Sequence, residues 1–148
     1  MNRLATFIGT FGFVGYLRPA SGTWGSLAAL LIWWLVAPAG FLLRLIMVLL
    51  ALVAGVWAAG VMETMTGSHD PSEIVIDEVA GMWLALIGIP VTWPGMLAAF
   101  LLFRLFDVWK PGPINRLQNL PGGWGVMMDD VAAGALAGGL VVLPGLMA

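Results

Sequence analysis

Three charged residues stand at equal spacing at the end of a long uncharged stretch. In the segment FRLFDVWKPGPI, residues 103–114, Arg104, Asp107 and Lys110 follow one another at intervals of three, and no residue from 79 to 102 carries a charge. At this spacing the side chains share one side of a helix and can form a simple ladder of ion pairs. The same spacing also suits a site in which two basic side chains hold the oxygens of an anion such as phosphate.

Two pairs of adjacent acids provide the other groups that could do chemistry. Asp77 and Glu78 lie in IVIDEVAGMW, and Asp129 and Asp130 lie in GVMMDDVAAG, each pair in the expected first turn of an apolar helix. The helix dipole stabilises acids at that position, so each pair alone can be purely structural. Together with Asp107, the pairs offer carboxylate oxygens, the ligands that Mg²⁺ prefers and commonly supplements with a substrate phosphate. Because the chain contains no cysteine, a magnesium site is favoured over a zinc site.

The composition indicates that lipid surrounds the elements that carry these groups. Hydrophobic residues make up 61% of the 148 residues and charged residues only 9%, whereas about a quarter of the residues in a soluble domain are charged. This favours a single membrane-embedded domain over residues 1–148, with about five helices. Six lysines and arginines spread along the chain do not form the basic face of a nucleic-acid-binding protein. The N-terminal segment has no clear small-x-small cleavage site and is interpreted as mature protein rather than a signal peptide.

Proline and glycine residues divide the apolar sequence into five predicted helices, the first of them capped by Thr23 or Ser26. They run to about residue 37, from 41 to about 66, from about 72 to 89, from about 94 to 109, and from 126 to about 142. Residues 41–62 would span about 33 Å, enough for a bilayer core of about 30 Å, whereas the third and fourth helices are short. The fifth carries small residues at the spacing that lets membrane helices approach closely: Ala133, Gly134, Ala137 and Gly138. The prediction is an all-α, polytopic integral membrane protein with some short or re-entrant helices.

The alternation of helices places nearly all charges on one side of the membrane. Because helices one and two form one hairpin and helices three and four another, the N-terminal segment faces the same side as the loops around residues 63–78 and 110–125. The basic residues on that side are Arg3, Arg18, Arg104, Lys110 and Arg116, whereas the opposite side has only Arg44. By the positive-inside rule the charged side is cytoplasmic, and the loops that carry the chemistry are expected there.

Four segments closely resemble the phosphatidylglycerophosphatase A family in content, order and spacing. They are GTWGSLAAL (22–30), IVIDEVAGMW (74–83), FRLFDVWKPGPI (103–114) and GGWGVMMDDVAAG (122–134), and the resemblance extends from about Thr6 to the fifth helix. It implies a multi-pass, Mg²⁺-dependent lipid phosphatase of the bacterial inner membrane. Such an enzyme hydrolyses the terminal phosphomonoester of phosphatidylglycerophosphate, which yields phosphatidylglycerol and phosphate.

The same resemblance implies roles for individual residues. Asp77 and Glu78 match the family's Asp-Glu pair, Asp129 and Asp130 its Asp-Asp pair, and Arg104, Asp107 and Lys110 its Arg-x-x-Asp-x-x-Lys-Pro element. His69 and Asp70 match a His-Asp pair of some members, although a lone loop histidine is more often a surface residue. Ser21 and Gly112 depart from the family's pattern, in which a proline and a bulkier residue are usual, but neither departure removes a reactive group.

A hypothesis that combines both lines assigns the paired acids to metal binding and the bases to phosphate. One or two Mg²⁺ ions are expected to be held by four carboxylates: Asp77, Glu78, Asp129 and Asp130. Arg104 and Lys110 are expected to bind the non-bridging phosphate oxygens, because phosphoryl transfer depends chiefly on positioning and on stabilising charge. Asp107 is expected to be catalytic, and the sequence leaves open whether it binds metal, orients the attacking water or acts as the nucleophile.

The start of the first predicted helix is a further candidate for substrate binding. Gly22, Thr23 and Ser26 offer backbone amides and hydroxyl groups there, and helix N-termini bind anions readily. Simple capping of the helix explains the same residues equally well.

Two other classes of protein stand as alternatives. A small ion-coupled transporter would use carboxylates within the membrane, but it also needs polar groups along a path to the far side. The second and fifth helices offer almost none. A non-catalytic membrane assembly subunit would explain the small residues of the fifth helix but would leave the charged residues without a role.

Overall fold

A computed structural model describes the backbone of residues 2–147 and the side chains of residues 2–143. Within this range the chain forms seven α-helices and two 3₁₀ turns, at Val14–Tyr16 and Ala37–Ala39, with no strand. The helices are α1 (Arg3–Gly9), α2 (Ser21–Leu35), α3 (Gly40–Thr66), α4 (Ile76–Leu86), α5 (Trp93–Trp109), α6 (Pro113–Leu117) and α7 (Gly123–Met147). The all-α prediction is therefore confirmed for the described residues. The five predicted helices correspond to α2, α3, α4, α5 and α7, and the short helices α1 and α6 were not predicted.

Among the described residues, two segments are long and apolar enough to cross a membrane by length and composition, Ala37–Thr66 and Gly123–Leu143. The other three main hydrophobic helices are shorter: α2 has 15 residues, α4 has 11 and α5 has 17. The outer surface is apolar as well, because large side chains such as Val53 on α3 and Val108 on α5 are each 73% exposed. A broad apolar exterior of this kind is typical of a protein that contacts lipid.

The start of α2 differs from the prediction. Neither Thr23 nor Ser26 caps the helix, since the helix already begins at Ser21, after Ala20 in a left-handed conformation with a φ of 58°. The Ser26 hydroxyl lies inside the helix and donates a hydrogen bond to the carbonyl of Gly22, with an Oγ–O distance of 2.8 Å. Both residues predicted as caps therefore belong to the body of α2.

The start of α4 also differs, because contacts distant in sequence take up the residues before it. The helix begins at Ile76 rather than near residue 72. The Val75 amide donates to the Gly9 carbonyl of α1, at 2.9 Å, and the Ile74 amide donates to Pro71 within a turn, also at 2.9 Å. These bonds fix the position where Asp77 and Glu78 enter the first turn of α4.

The helix α4 lies at the centre of the fold and packs against α2, α3, α5 and α7. Its contact with α7 is close because glycines face each other: a Cβ on Gly134 would overlap the Gly81 carbonyl, and one on Gly138 would lie 2.7 Å from the Ala85 carbonyl oxygen. Ala133 is fully buried on the same side of α7. The small residues of the fifth predicted helix thus make the close helix contact that their spacing indicates.

Candidate active site

Three carboxylates from two helices converge at one end of the α4–α7 contact. Asp77 and Glu78 come from the first turn of α4, as predicted. Asp130 lies seven residues after Gly123, the first residue of α7, so the prediction that Asp129 and Asp130 lie in the first turn of their helix is wrong. One carboxylate oxygen from each of the three lies within 4.8 Å of those of the other two. Asp77 and Asp130 are 7% and 2% exposed, and Glu78 is half-buried. We call this group the carboxylate cluster.

The glycines of the α4–α7 contact explain why these acids meet. Asp77 precedes Gly81 by four residues and Asp130 precedes Gly134 by four residues, so each acid lies one turn from its glycine on the same helix face. A Cβ on Gly81 would lie 2.5 Å from the Asp130 carbonyl oxygen. The close backbone approach therefore brings the acidic side chains of the two helices together.

The carboxylate cluster has the properties of a cation site. Within the described part of the chain, the buried oxygens Asp77 Oδ1, Glu78 Oε2 and Asp130 Oδ2 have no hydrogen-bond partner. Several buried carboxylates with free oxygens are costly unless a positive charge neutralises them. A hard divalent cation with oxygen ligands fits this donor set, and Mg²⁺ commonly completes its coordination with water and phosphate oxygens.

Arg104 and Asp107 of α5 lie beside the carboxylate cluster. Arg104 Nη1 donates to Asp107 Oδ2 at 2.5 Å and approaches Ser26 Oγ of α2 at 3.5 Å. Gly22, one turn before Ser26, makes room for both charges: an added Cβ would overlap Glu78 Oε1 and lie 3.2 Å from Arg104 Nη1. The backbone of Gly22 and the hydroxyl of Ser26 are therefore the parts of α2 that border the site.

Lys110 and Asp129 form a second ion pair at the same end of the molecule. Lys110, which ends α5 in a left-handed conformation, donates to Asp129 Oδ2 at 2.5 Å. Asp129 Oδ1 accepts the Asp130 backbone amide at 3.1 Å. Burial alone would lower the pKa of Lys110, but the hydrogen bond to Asp129 and the neighbouring negative charges outweigh it and raise the pKa above its ordinary value. Lys110 therefore stays protonated and able to bind an anion.

Sequence comparison identifies the group of proteins to which this arrangement belongs. The family model described as "PgpA: Phosphatidylglycerophosphatase A" matches residues 7–144. The chain belongs to the phosphatidylglycerophosphatase A family. This membership gives no support to the transporter alternative.

Members of the phosphatidylglycerophosphatase A family and related proteins match most of the chain. A protein named "Phosphatidylglycerophosphatase A" from Escherichia coli is 38% identical over 137 residues, which cover 90% of this chain and 80% of the relative. One of the same name from Haemophilus influenzae is 40% identical, covering 83% of this chain and 77% of the relative. A Bacteroides thetaiotaomicron protein named "Putative phosphatidylinositol-3-phosphatase" is 41% identical, with 88% and 87% covered. No solved structure matches significantly.

Most of the residues predicted for the site lie together in this phosphatidylglycerophosphatase A family member. The structure joins Asp77 and Glu78 with Asp130, and it places Asp129 against Lys110 instead. Thr23 is half-buried on α2, and its hydroxyl makes no hydrogen bond within the described residues. Metal binding by the acids and substrate binding by the start of α2 stay predictions.

The His-Asp pair of some family members lies beside the Lys110–Asp129 ion pair. Burial raises the pKa of Asp70, and the charges of Lys110 and Asp129 also act on its carboxyl. His69 Nδ1 lies 2.5 Å from Glu63 Oε1, and its Nε2 lies 3.1 Å from the Gln118 carbonyl oxygen. The Asp70 amide donates to the same Glu63 carboxylate at 3.0 Å. His69 therefore connects the end of α3 with the loop after α6, which explains its position without a catalytic role.

Ser21, which stands where the family usually has a proline, makes a contact that sequence analysis missed. Its hydroxyl donates to the Ser72 carbonyl at 2.6 Å, and Arg18 forms an ion pair with Glu73 at 3.2 Å. These bonds join the start of α2 to the segment that leads into α4. A serine among small residues gives no sequence signal for such a bond, because its partner is a backbone carbonyl 51 residues away.

Proposed function

We propose that this protein is a Mg²⁺-dependent lipid phosphatase that hydrolyses the terminal phosphomonoester of phosphatidylglycerophosphate to phosphatidylglycerol and phosphate. The observation that carries the proposal is the carboxylate cluster, whose unpaired buried oxygens lie next to the Arg104–Asp107 pair. Family membership supports the same reaction. The protein works as a multi-pass protein of the bacterial inner membrane, with the site at the cytoplasmic face.

Asp77, Glu78 and Asp130 hold the magnesium in this proposal, because their oxygens already lie close enough together to share one ion. When bound, Mg²⁺ would neutralise the negative charge that develops on the phosphate oxygens during phosphoryl transfer. Asp129 is bonded to Lys110 and to the Asp130 amide, so it lies beside the three proposed ligands. The prediction that Asp129 is a fourth ligand rests on the sequence alone.

Arg104 and Lys110 bind the non-bridging oxygens of the phosphate. Both side chains are held by a carboxylate of the site, Arg104 by Asp107 and Lys110 by Asp129. Such bonds fix the orientation of a basic group before substrate arrives, and positioning supplies much of the rate in phosphoryl transfer. Ser26, whose hydroxyl oxygen lies 3.5 Å from Arg104 Nη1, completes the anion site on the side of α2, and Gly22 leaves the room that Glu78 and Arg104 occupy.

Asp107 orients the attacking water and accepts its proton. Its carboxylate accepts a hydrogen bond from Arg104, which fixes its orientation, and its oxygens can also accept one from water. The water oxygen forms a new bond to phosphorus while the ester P–O bond breaks, and the electron pair goes to the glycerol oxygen. That oxygen takes up the proton that Asp107 accepted from water, which leaves phosphatidylglycerol and inorganic phosphate and restores the Asp107 carboxylate.

Phosphate release by the purified protein in detergent micelles tests the proposal. Wild type should release phosphate from phosphatidylglycerophosphate with Mg²⁺ and not with a chelator, and folded wild type that releases none contradicts the proposal. Phosphatidylinositol-3-phosphate is a useful second substrate, given the name of one relative.

Two matched variants then separate the roles of neighbouring acids. Asp130→Asn removes a charge from the carboxylate cluster, so both Mg²⁺ binding, measured by calorimetry, and turnover should fall at least about 100-fold. Asp129→Asn should raise the KM for the phospholipid more than it weakens Mg²⁺ binding, because Asp129 contacts Lys110. Equal loss of Mg²⁺ binding in both variants would show instead that Asp129 is a full ligand.

A further inference from the structure

The helices α2 and α5 contact each other through side chains at two places along their length. At the polar end, Arg104 Nη1 of α5 approaches Ser26 Oγ of α2 at 3.5 Å. At the opposite end, the rings of Trp34 on α2 and Trp93 on α5 pack with their centroids 5.5 Å apart. Direct contact between the two helices is otherwise sparse.

The residues between these ends lie on the facing sides of the two helices. On α2, Leu30 lies one turn from both Ser26 and Trp34. On α5, Leu97 lies one turn from Trp93 and two turns from Arg104. We call the space between the two helices here the α2–α5 slot. It is bounded by three residues on each helix: Ser26, Leu30 and Trp34 on α2, and Trp93, Leu97 and Arg104 on α5.

An apolar cavity lies in the slot next to its tryptophan end. It has a volume of about 370 Å³ and is lined by Leu30, Trp93, Pro94 and Leu97. The cavity begins about 10 Å from Arg104 along α5, at a rise of 1.5 Å for each of the seven residues from Leu97. It therefore lies between the same two helices as the anion site, toward the uncharged end of the molecule.

We propose that the α2–α5 slot holds an acyl chain of the lipid substrate, which reaches the site sideways from the bilayer. This inference rests on the proposed function, since a lipid phosphate at Arg104 fixes where the chains begin. From that point the chains must run toward the apolar end of the helices. The slot offers a path with the anion-binding groups at one end and only apolar side chains beyond them.

Two larger apolar cavities fit this role less well. One, of about 530 Å³, is lined from α1, α2, α3 and α4, and another, of about 510 Å³, is lined from α3 and α7. Neither has a lining residue on α5, which carries Arg104 and Asp107. A chain in either cavity would leave the site away from the helix pair that holds the phosphate.

The slot positions the chain rather than drawing it out of the membrane. An acyl chain that moves from lipid into the slot exchanges one apolar environment for another, so the hydrophobic effect contributes little. The benefit is orientation: a chain held between α2 and α5 limits the directions in which its phosphate can approach Arg104. Orientation of this kind increases turnover because it brings the reacting groups into line before reaction.

Chain-length discrimination tests the slot. Dipalmitoyl and dihexanoyl phosphatidylglycerophosphate carry the same headgroup, and their kcat/KM values are compared in detergent micelles for two variants. Leu97→Trp fills the cavity, whereas the control Leu31→Trp adds the same ring on α2 outside the cavity lining; the two leucines are 55% and 54% exposed. In Leu97→Trp, the ratio of kcat/KM for the dipalmitoyl lipid to kcat/KM for the dihexanoyl lipid should fall about tenfold. This is the lower end of the discrimination that a misfit of one methylene group produces in an apolar pocket.

Each outcome of this comparison is informative. An unchanged ratio in Leu97→Trp, or an equal fall in Leu31→Trp, overturns the slot. Wild type that hydrolyses neither lipid overturns the proposed function instead.

Photo-crosslinking of wild type provides a measurement that does not depend on a folded variant. A phosphatidylglycerophosphate with a diazirine in its acyl chain, added with chelator to phosphatidylcholine micelles, should label the cavity residues Leu30 or Leu97. Unlabelled phosphatidylglycerophosphate should compete this label away. Label that resists competition would indicate contact with bulk lipid only and would contradict the proposal.

Discussion

The α4–α7 pair and the α2–α5 pair carry the two halves of the site, and they are built in opposite ways. Glycines let the backbones of α4 and α7 touch, and this contact sets the carboxylate cluster. The helices α2 and α5 are joined by side chains at two ends with a cavity between them. A backbone contact leaves little freedom, whereas side-chain contacts can rearrange. The difference suits the two proposals, since a metal site needs fixed ligands and an entrance for lipid needs contacts that can open.

The largest expected effect comes from forcing α4 and α7 apart. In Gly134→Ala the new methyl group overlaps the Gly81 carbonyl, so the two helices must separate. The free energy of unfolding should therefore fall by about 3 kcal/mol or more. Thermal unfolding in detergent measures the change. Gly139→Ala is the matched control, because a Cβ there meets no atom within 4 Å, and it should be neutral or slightly stabilising. Equal stability of both variants would mean that the close contact is dispensable.

A methyl group on the other side of the site should affect activity without loss of stability. In Gly22→Ala the added Cβ occupies the position of Glu78 Oε1, so the carboxylate must move away from its partners. Misplacement of a reacting group by about 1 Å can cost roughly 100-fold, and kcat should fall by about that factor. Helix propensity favours alanine by about 1 kcal/mol, so the thermal midpoint should hold or rise. If the thermal midpoint fell together with kcat, the expectation that this substitution affects activity alone would be wrong.

The smallest expected effect concerns the bond that joins α2 to the segment before α4. Ser21→Ala removes the hydrogen bond to the Ser72 carbonyl and should cost about 1 kcal/mol of unfolding free energy, with kcat nearly unchanged. Ser72→Ala keeps that bond, because the acceptor is a backbone carbonyl, and removes only the exposed hydrogen bond from Arg18 to the Ser72 hydroxyl, so it serves as the control. Denaturant titration compares the two variants. A destabilisation in Ser72→Ala as large as that in Ser21→Ala would place the stabilising contact elsewhere.

Sequence reasoning predicts the parts of this fold that depend on local pattern. The apolar runs and their breaks predict the main helices, and the charged motifs predict which residues gather at one end. The starts of α2 and α4 are missed because the Val75 amide bonds to Gly9 and the Ser21 hydroxyl to Ser72, and no local pattern shows these partners.

The sequence does not show which of Asp129 and Asp130 joins the carboxylate cluster and which pairs with Lys110. The reason is geometric. Adjacent helical residues point about 100° apart, so one acid can face Lys110 while the other faces α4. Which of them faces which neighbour depends on the rotation of α7 in the fold. The cavity is hidden for a similar reason, since Leu30 and Leu97 look in sequence like any other leucine that faces lipid.

The long contact between Arg104 and Ser26 has a consequence for turnover. At 3.5 Å it is a weak bond, whereas the ion pair of Arg104 with Asp107 is short, at 2.5 Å. In the proposed function, a phosphate that binds Arg104 Nη1 would compete first with the weaker partner, which frees the start of α2 and leaves Asp107 in place. Arrival of the headgroup would then loosen the polar end of the slot, and departure of phosphate would restore it. On this proposal, binding of the anion and admission of the lipid chain form a single coupled event.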